Sequence, residues 1–312
     1  MPFFVSLKSI LGYNKAINIW GVQNKAMEIN SLKQVKEIMD RFGIAPNKAF
    51  GQNFLLDKGI LDKIANSAQL DKNTDVLEIG PGMGALTDRL CDRGKKVVCI
   101  EIDKGMLPIL DYTLSDRDNA EIISGDVLDE RVREEAVSKL DKPFNIVANL
   151  PYYITTPIIM TFLQGGYDLS SMTLMMQKEV AERICAKKGS KSYGILSVCM
   201  AYYADVEILF TIAPECFFPR PKVDSMLIRI LKLNKPRISV KDEKLFFKVV
   251  RASFAMRRKT LINNLSVAFK LSKEELKSIL IGCGIKENIR GECLSLEEYG
   301  KLADEIFNKT VE

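Results

Sequence analysis

From Ser31 onward the apolar positions follow one period and then another. Ser31 stands three residues before Gln34 and is followed by Val35, Ile38, Met39 and Phe42, which predicts a capped amphipathic helix ending at Gly43. Asp57 heads a second helical set, Ile60, Leu61, Ile64, Ala65 and Ala68. Apolar runs of strand length come next, at 75–80, 96–102, 120–124, 144–149 and 171–177. Helical segments separate and follow them, near 85–93, 104–113, 130–139, 156–164 and 178–187. Short β-rich runs alternating with helices predict an α/β fold whose mostly parallel sheet is covered on both faces. After Ser197 the spacing alters. Asp205 to Ile212 and Asp224 to Leu233 are two strand-like runs joined by a Pro-rich turn, which predicts an antiparallel hairpin at the sheet edge. Beyond Asn234-Lys235-Pro236 only helical patterns remain, about 242–254, 258–269, 273–281 and 295–308, the third capped by Ser272 with Glu275 three residues on.

This pattern divides the 312 residues into an N-terminal extension over 1–29, an α/β unit over 30–233 and a helical unit over 234–312. The longest apolar stretch, Gly194 to Phe210, is interrupted by Asp205 and Glu207, so no membrane span is expected. Lys8 and Lys15 break the apolar start of the extension and no small-residue cleavage site follows it, so it does not read as a signal peptide; Met27 is an alternative start. Seven cysteines without a C-x-x-C pair fit a reduced, cytoplasmic protein with no zinc site.

Charge and one missing residue type narrow the chemistry. The net charge of +5 resides wholly in residues 234–312, which carry 16 Lys and Arg against 11 Asp and Glu. Within it, Lys244 to Lys273 holds eight basic residues and no acidic one. Solvated helix faces usually mix signs, so an anionic polymer is the expected partner. The chain has no histidine, which excludes a Ser-His-Asp or Cys-His relay and any imidazole base.

Leu77-Glu78-Ile79-Gly80-Pro81-Gly82-Met83-Gly84 follows a strand and opens a helix, a turn whose backbone N–H groups can approach a ligand closely. Gly80 and Gly82 are candidate cofactor contacts. Gly80, Gly82 and Ala85 also satisfy G-x-G-x-x-A, and Glu101 lies 21 residues beyond Gly80, so NAD and S-adenosylmethionine both fit by spacing. Glu101, at the end of the next strand, can accept from two ribose hydroxyls, while Asp103 better suits a helix cap. Asp126 ends the third strand and can accept from an adenine amine, with a bare N-cap as the competing reading.

The fourth strand ends in Asn149-Leu150-Pro151-Tyr152, and this favours methyl transfer. An adenine amine is a poor nucleophile because its lone pair is delocalised into the ring. A carboxamide oxygen from Asn149 and the neighbouring Leu150 carbonyl can accept from its two N–H groups and favour a pyramidal nitrogen. Pro151 stiffens that carbonyl's geometry through its fixed φ. Tyr152 offers a face for an unstacked base. Such a reaction is mostly alignment and needs no imidazole; orientation alone is worth roughly 7–11 kcal/mol.

Gly51-Gln52-Asn53-Phe54-Leu55, the Gly-rich turn continued to Thr87, Asn149 to Tyr152, Gln177 to Arg183 and Phe217 to Ser225 occur in this order, and together the chain resembles the KsgA/RsmA family of small-subunit ribosomal RNA adenine N6,N6-dimethyltransferases over about residues 30–308. The resemblance implies a Rossmann-like class I methyltransferase sheet with a small helical C-terminal domain. It implies an S-adenosylmethionine pocket using Asn53, Leu55, Gly80, Glu101, Asp126 and Asn149. It places the target base between Tyr152 and Phe217, and makes the substrate two adjacent adenosines in a hairpin loop near the 3′ end of 16S rRNA. The small ribosomal subunit is then the partner, and a monomer without metal is expected. Lys248, Arg251, Arg257, Arg258 and Lys259 suit a helical hairpin gripping phosphates, supported by the loop from Arg183 to Lys191. Phe246, Phe247, Phe254 and Phe269 read as core.

A nicotinamide oxidoreductase explains only the Gly-rich turn and Glu101. Methylation of another amino or amide nitrogen, in DNA, large-subunit rRNA or a protein glutamine, shares the Asn-x-Pro-Tyr logic. A non-catalytic assembly factor that occupies an immature subunit is compatible with catalysis.

Overall fold

The computed structural model describes residue 29 and residues 31–47, 50–151 and 154–311; residues 1–28 of the extension and Tyr152 lie outside the described residues. Helix α1 (Leu32–Phe42) is capped by Ser31, whose side chain accepts from the Gln34 amide. A two-residue strand β1 (Phe54–Leu55) follows, then helix α2 (Lys58–Ser67), capped by Asp57 as the sequence predicts.

The centre is a seven-stranded sheet. Its first four strands are β2 (Val76–Ile79), β3 (Val97–Glu101), β4 (Ala120–Ser124) and β5 (Phe144–Asn149). It is completed by β6 (Leu169–Gln177), β7 (Ala204–Ile212) and β9 (Ser225–Lys232), in the spatial order β4-β3-β2-β5-β6-β9-β7. β4, β3, β2, β5 and β6 run parallel, and β9 pairs antiparallel with both β6 and β7. Every residue of β2 and β3 is buried, which is why these strands read as continuous apolar runs rather than alternations. Helices α3 (Ala85–Cys91), α4 (Leu107–Thr113), α5 (Glu130–Ser138), α6 (Thr155–Gln164) and α7 (Lys178–Ile184) follow strands β2 to β6 in turn. The chain leaves β2 toward β3 and β4, then returns to the other side of β2 as β5. That reversal is the switch point at which α/β sheets open a crevice at their carboxyl ends.

Three local expectations need correction. The helix near 104–113 is a single 3-10 turn, Lys104–Met106, capped by Asp103, followed by α4. The apolar stretch before β7 contains helix α8 (Ile195–Tyr203), which the periodicity hides because nearly all its faces are covered. The Pro-rich turn is not merely a turn: within it β8 (Phe217–Phe218) pairs antiparallel with β1, setting Leu55 against Phe217 and Phe54 against Phe218.

The chain after β9 is helical, with α9 (Glu243–Ser253), α10 (Leu261–Phe269), α11 (Lys273–Gly282) and α12 (Leu296–Val311). Ser272 and Glu275 form the expected capping box of α11. α9 docks on α8 through aromatic rings. Tyr202 stacks on Phe246 at 5.0 Å and Tyr203 on Phe247 at 5.6 Å, while both tyrosine hydroxyls donate to the Glu243 carboxylate. Phe246 and Phe247 are buried, as expected of core residues. Among the described residues no helix is long and apolar enough to cross a membrane, and no group of three or more metal-ligating side chains converges.

Candidate active site

The parallel registers align the site. Ile79 pairs with Ile100 and Glu78 with Val147, so continuing these ladders sets Gly80, Glu101 and Asn149 in one row across β2, β3 and β5. The row lies at the carboxyl edge of the sheet, beside the switch point. Above it opens a cleft of about 1000 Å³, continuous with solvent, lined by Gly51, Gln52, Asn53, Leu55, Glu78, Gly80, Gly82, Glu101, Ile102, Asn149, Leu150 and Pro151 among others.

Two glycines shape the floor. Gly80 has φ +69° with nothing within 4 Å of where a Cβ would stand, leaving backbone open to the cleft. Gly82 has φ +59°, and a Cβ there would meet the Phe54 ring at 3.2 Å. Glu101 ties this turn to its own strand: one carboxylate oxygen accepts from the Gly82 amide at 3.1 Å and the other from the Asp103 amide at 2.8 Å. A carboxylate has about four acceptor positions, so these two bonds leave capacity for two more donors. Burial raises its pKa, against the pull of those backbone amides. Asp103, by contrast, accepts from the Gly105 amide as a cap and from the Gln52 side chain at 2.8 Å.

At the β5 end, the Asn149 side-chain nitrogen donates to the Asn53 carbonyl at 3.1 Å. That bond fixes the carboxamide so that its oxygen, the acceptor, is on the opposite arm. The Leu150 amide donates to the Met175 carbonyl at 3.1 Å, and the Pro151 carbonyl accepts from the Thr155 hydroxyl at 3.1 Å. The turn is thereby held between β6 and the first turn of α6. The N-terminal motif roofs the cleft because β1 pairs with β8, a contact no local pattern announces.

The structure brings Asn53, Leu55, Gly80, Gly82, Glu101, Asn149, Leu150 and Pro151 to one cleft. Two expected members stand apart. Asp126 is exposed and does not line the cleft; its carboxylate accepts from the Leu128 amide at 2.8 Å, and the cap of α5 is Asp129 rather than Asp126. Phe217 is only 4% exposed and sits in the core with Leu55, Met175 and Leu227, so the two-sided stack expected for a base is not formed in this conformation. Tyr152, its expected partner, is outside the described residues.

Two polar side chains of the cleft were not singled out from the sequence. Gln52 latches the roof to Asp103 while its oxygen accepts from the Asn47 amide at 2.8 Å. Glu78 is 1% exposed, and burial pushes its carboxyl up to about 7. An acid inside an otherwise apolar strand was the available signal for it.

The five basic residues expected to meet phosphate are all exposed. Lys248 and Arg251 are exposed on α9, with the Lys248 ammonium over the Phe269 ring at 4.8 Å. Arg257, Arg258 and Lys259 are exposed too, but in the α9–α10 loop, since α10 starts only at Leu261. The Arg257 guanidinium donates to the Lys191 carbonyl at 2.6 Å, joining this loop to the segment after α7.

A family model described as ribosomal RNA adenine dimethylase matches residues 44–307. Proteins named ribosomal RNA small subunit methyltransferase A from Clostridium acetobutylicum and Bacillus cytotoxicus are each 46% identical, covering 87% and 89% of this chain and 98% and 97% of their own. The crystal structure of a dimethyladenosine transferase from Plasmodium falciparum matches with a TM-score of 0.67 at 26% identity, over 83% of this chain and 98% of that one. The crystal structure of the 23S rRNA methyltransferase ErmE matches with a TM-score of 0.60 at 25% identity, over 81% and 99%.

Proposed function

The chain belongs to the ribosomal RNA adenine dimethylase family, and on that premise we propose that it transfers methyl groups from S-adenosylmethionine to N6 of two adjacent adenosines in the 3′-terminal hairpin loop of small-subunit rRNA. The observation that carries this reading is the row Glu101-Gly80-Asn149 at the switch point, with the Asn149 amide oriented by the Asn53 carbonyl. The cleft fits the methyl donor. Glu101 keeps acceptor positions for two ribose hydroxyls, and the open backbone at Gly80 admits close approach. Ile102, 41% exposed and lining the cleft, offers an apolar face to a planar ring. Asp126, two residues past the end of β4 and outside the cleft lining, is assigned to the adenine amine by the family resemblance and would have to turn from the Leu128 amide to reach it.

When bound, S-adenosylmethionine supplies an electrophilic sulfonium methyl. The residues of the chain do the positioning. The Asn149 oxygen and the Leu150 carbonyl accept the two N–H groups of the target amine and turn its lone pair toward the donor. Pro151, anchored through its carbonyl to Thr155, keeps that pair of acceptors from drifting. Tyr152 stacks on the extruded base, and Phe217 serves as its second face once its ring leaves the core. The missing histidine is consistent with this chemistry, since the amine's proton can pass to solvent after the methyl arrives.

We assign residues 30–233 to catalysis and 234–312 to RNA binding. Lys248, Arg251, Arg257, Arg258 and Lys259 hold phosphates and set register, while base identity is read in the cleft. Labelled S-adenosylmethionine mixed with under-methylated small subunits, large subunits and DNA tests the assignment. Label in small-subunit RNA alone is expected; label confined to large-subunit RNA or DNA overturns the substrate, and binding of NAD in place of the methyl donor overturns the reaction class.

A further inference from the structure

Asn264 is a polar side chain on the buried side of α10, 2% exposed between Leu261 and Leu265. Its side-chain nitrogen donates to two carbonyls outside its own helix: Ser253, at the end of α9, at 2.9 Å and Met256, in the loop beyond it, at 3.3 Å. The opposite setting of the amide would bring its oxygen against both carbonyls, so the position uses the donors. The other arm shows what this costs, because the Asn264 oxygen is buried without a hydrogen-bond partner. A leucine of similar shape would leave no orphaned acceptor, but it could not hold the two carbonyls. The Met256 carbonyl is a shared acceptor. It also takes the Lys259 amide at 2.9 Å, which closes a turn with Arg257 and Arg258 at its two central positions. The clamp has a rigid backing. The Ser253 carbonyl lies against Gly291, where an added Cβ would stand 2.7 Å from it, and the buried Tyr299 hydroxyl donates to the Gly291 carbonyl at 2.8 Å. At the far end of the loop, the Leu261 amide donates to the Ile289 carbonyl at 2.8 Å.

We infer that Asn264 is a positioning residue for RNA binding: it holds the turn that carries Arg257 and Arg258 in its phosphate-meeting conformation before RNA arrives. The inference rests on the proposed reading of Arg257 to Lys259 as phosphate contacts. Arginines on a loose loop lose backbone and side-chain freedom together when they bind, and that entropy is subtracted from the affinity. On a turn already closed, only the side-chain part remains. Arg257 is aligned further by its bond to the Lys191 carbonyl, which uses one of five guanidinium N–H donors and leaves the others for phosphate. Asn264 itself, buried in the helical unit, touches neither RNA nor cofactor. It acts through the Met256 carbonyl, so its effect on RNA affinity exists only while the two arginines are there to be placed.

Filter binding of a hairpin RNA over a range of salt concentrations tests this as a double-mutant cycle, with the wild type, Asn264→Ala, the pair Arg257→Ala and Arg258→Ala, and all three changes together. Asn264→Ala is expected to lose the equivalent of about one phosphate contact, lowering the salt slope by about 0.9 and raising Kd roughly eightfold at about 0.1 M salt. Its affinity for S-adenosylmethionine should not change. Asn264→Asp keeps the shape but sets an oxygen where the donors were, and should lose as much or more. In the background lacking both arginines, Asn264→Ala should alter RNA affinity by less than about twofold. An equal loss in both backgrounds, or an unchanged salt slope, makes Asn264 a packing residue of the helical unit and overturns the inference. Hydrogen exchange of the Lys259 amide in the RNA-free wild type decides the matter even if the variants do not fold. Protection is expected, and exchange at the rate of an unstructured peptide overturns the preformed turn. RNA affinity and salt slope unaltered by removal of the two arginines overturn the phosphate reading itself.

Discussion

Replacing Glu101 by alanine perturbs two functions of one side chain, and the structure separates their sizes. The carboxylate accepts from the Gly82 and Asp103 amides in a position 4% exposed. Alanine leaves both donors without that acceptor, and each unsatisfied group costs about 1–3 kcal/mol, less where water can enter from the cleft. The expected loss of folding stability is therefore about 2–4 kcal/mol. The ribose contacts add a separate term: two hydrogen bonds to a charged acceptor contribute roughly 3 kcal/mol, or about two orders of magnitude in Kd. Glu101→Gln separates the two effects, because its carbonyl still serves one amide while its NH2 faces the other donor. It should lose less stability than alanine but a similar amount of cofactor affinity. Urea unfolding of the free protein, calorimetric titration with S-adenosylmethionine and filter binding of a hairpin RNA measure the three quantities. RNA affinity should fall less than threefold in either variant. A folded Glu101→Ala protein that keeps its cofactor affinity, or that loses RNA and cofactor affinity equally, refutes the assigned role.

Gly82→Ala forces a side chain into φ +59° with its Cβ 3.2 Å from the Phe54 ring; a stability loss of about 1–2 kcal/mol should appear in urea unfolding, with weaker cofactor binding beside it. Arg257→Ala combined with Arg258→Ala should lower the slope of log K against log salt by about 1.4–1.8, the contribution of two phosphate contacts; an unchanged slope in RNA titrations shows that these arginines do not meet phosphate. Glu78 gives a pH test of the ligand-free protein. Its folded pKa, raised from 4.5 to about 7 by burial, means the folded state holds the proton more tightly, so its contribution is full below about 4.5 and is lost as pH rises through 7. Wild-type stability minus that of Glu78→Gln should fall by about 3 kcal/mol between pH 4 and 8; a difference independent of pH shows that burial does not hold the proton on this carboxyl.

Local chemistry made much of this molecule legible. Ser31, Asp57 and Ser272 announced their helices because a cap is a short-range hydrogen bond between residues three apart. The strand ends at Glu101 and Asn149 were readable because apolar runs stop where polar groups face the cleft. What stayed hidden depended on distant contacts. Helix α8 lacks a polar face, since Tyr202 and Tyr203 are covered by Phe246 and Phe247 of α9, so its period carries no signal. Strands β1 and β8 are two residues each and exist only through their pairing across more than 160 residues of chain. That pairing also puts Phe217 in the core beside Leu55, which the motif alone could not convey. Arg258 and Lys259 shared the apparent helical run of α10, yet they belong to the loop before it.

In the proposed function, Asn149 presents the amines of two neighbouring adenosines to a methyl donor. Mass spectrometry of the 3′-terminal hairpin fragment, after under-methylated small subunits are incubated with S-adenosylmethionine and either the wild-type protein or Asn149→Ala, tests it most directly. The wild type should yield two adjacent N6,N6-dimethyladenosines, and Asn149→Ala, at saturating S-adenosylmethionine and RNA, should leave both unmodified or nearly so. Dimethylation at full rate by Asn149→Ala, or an unmodified hairpin in the presence of the wild type, contradicts the account.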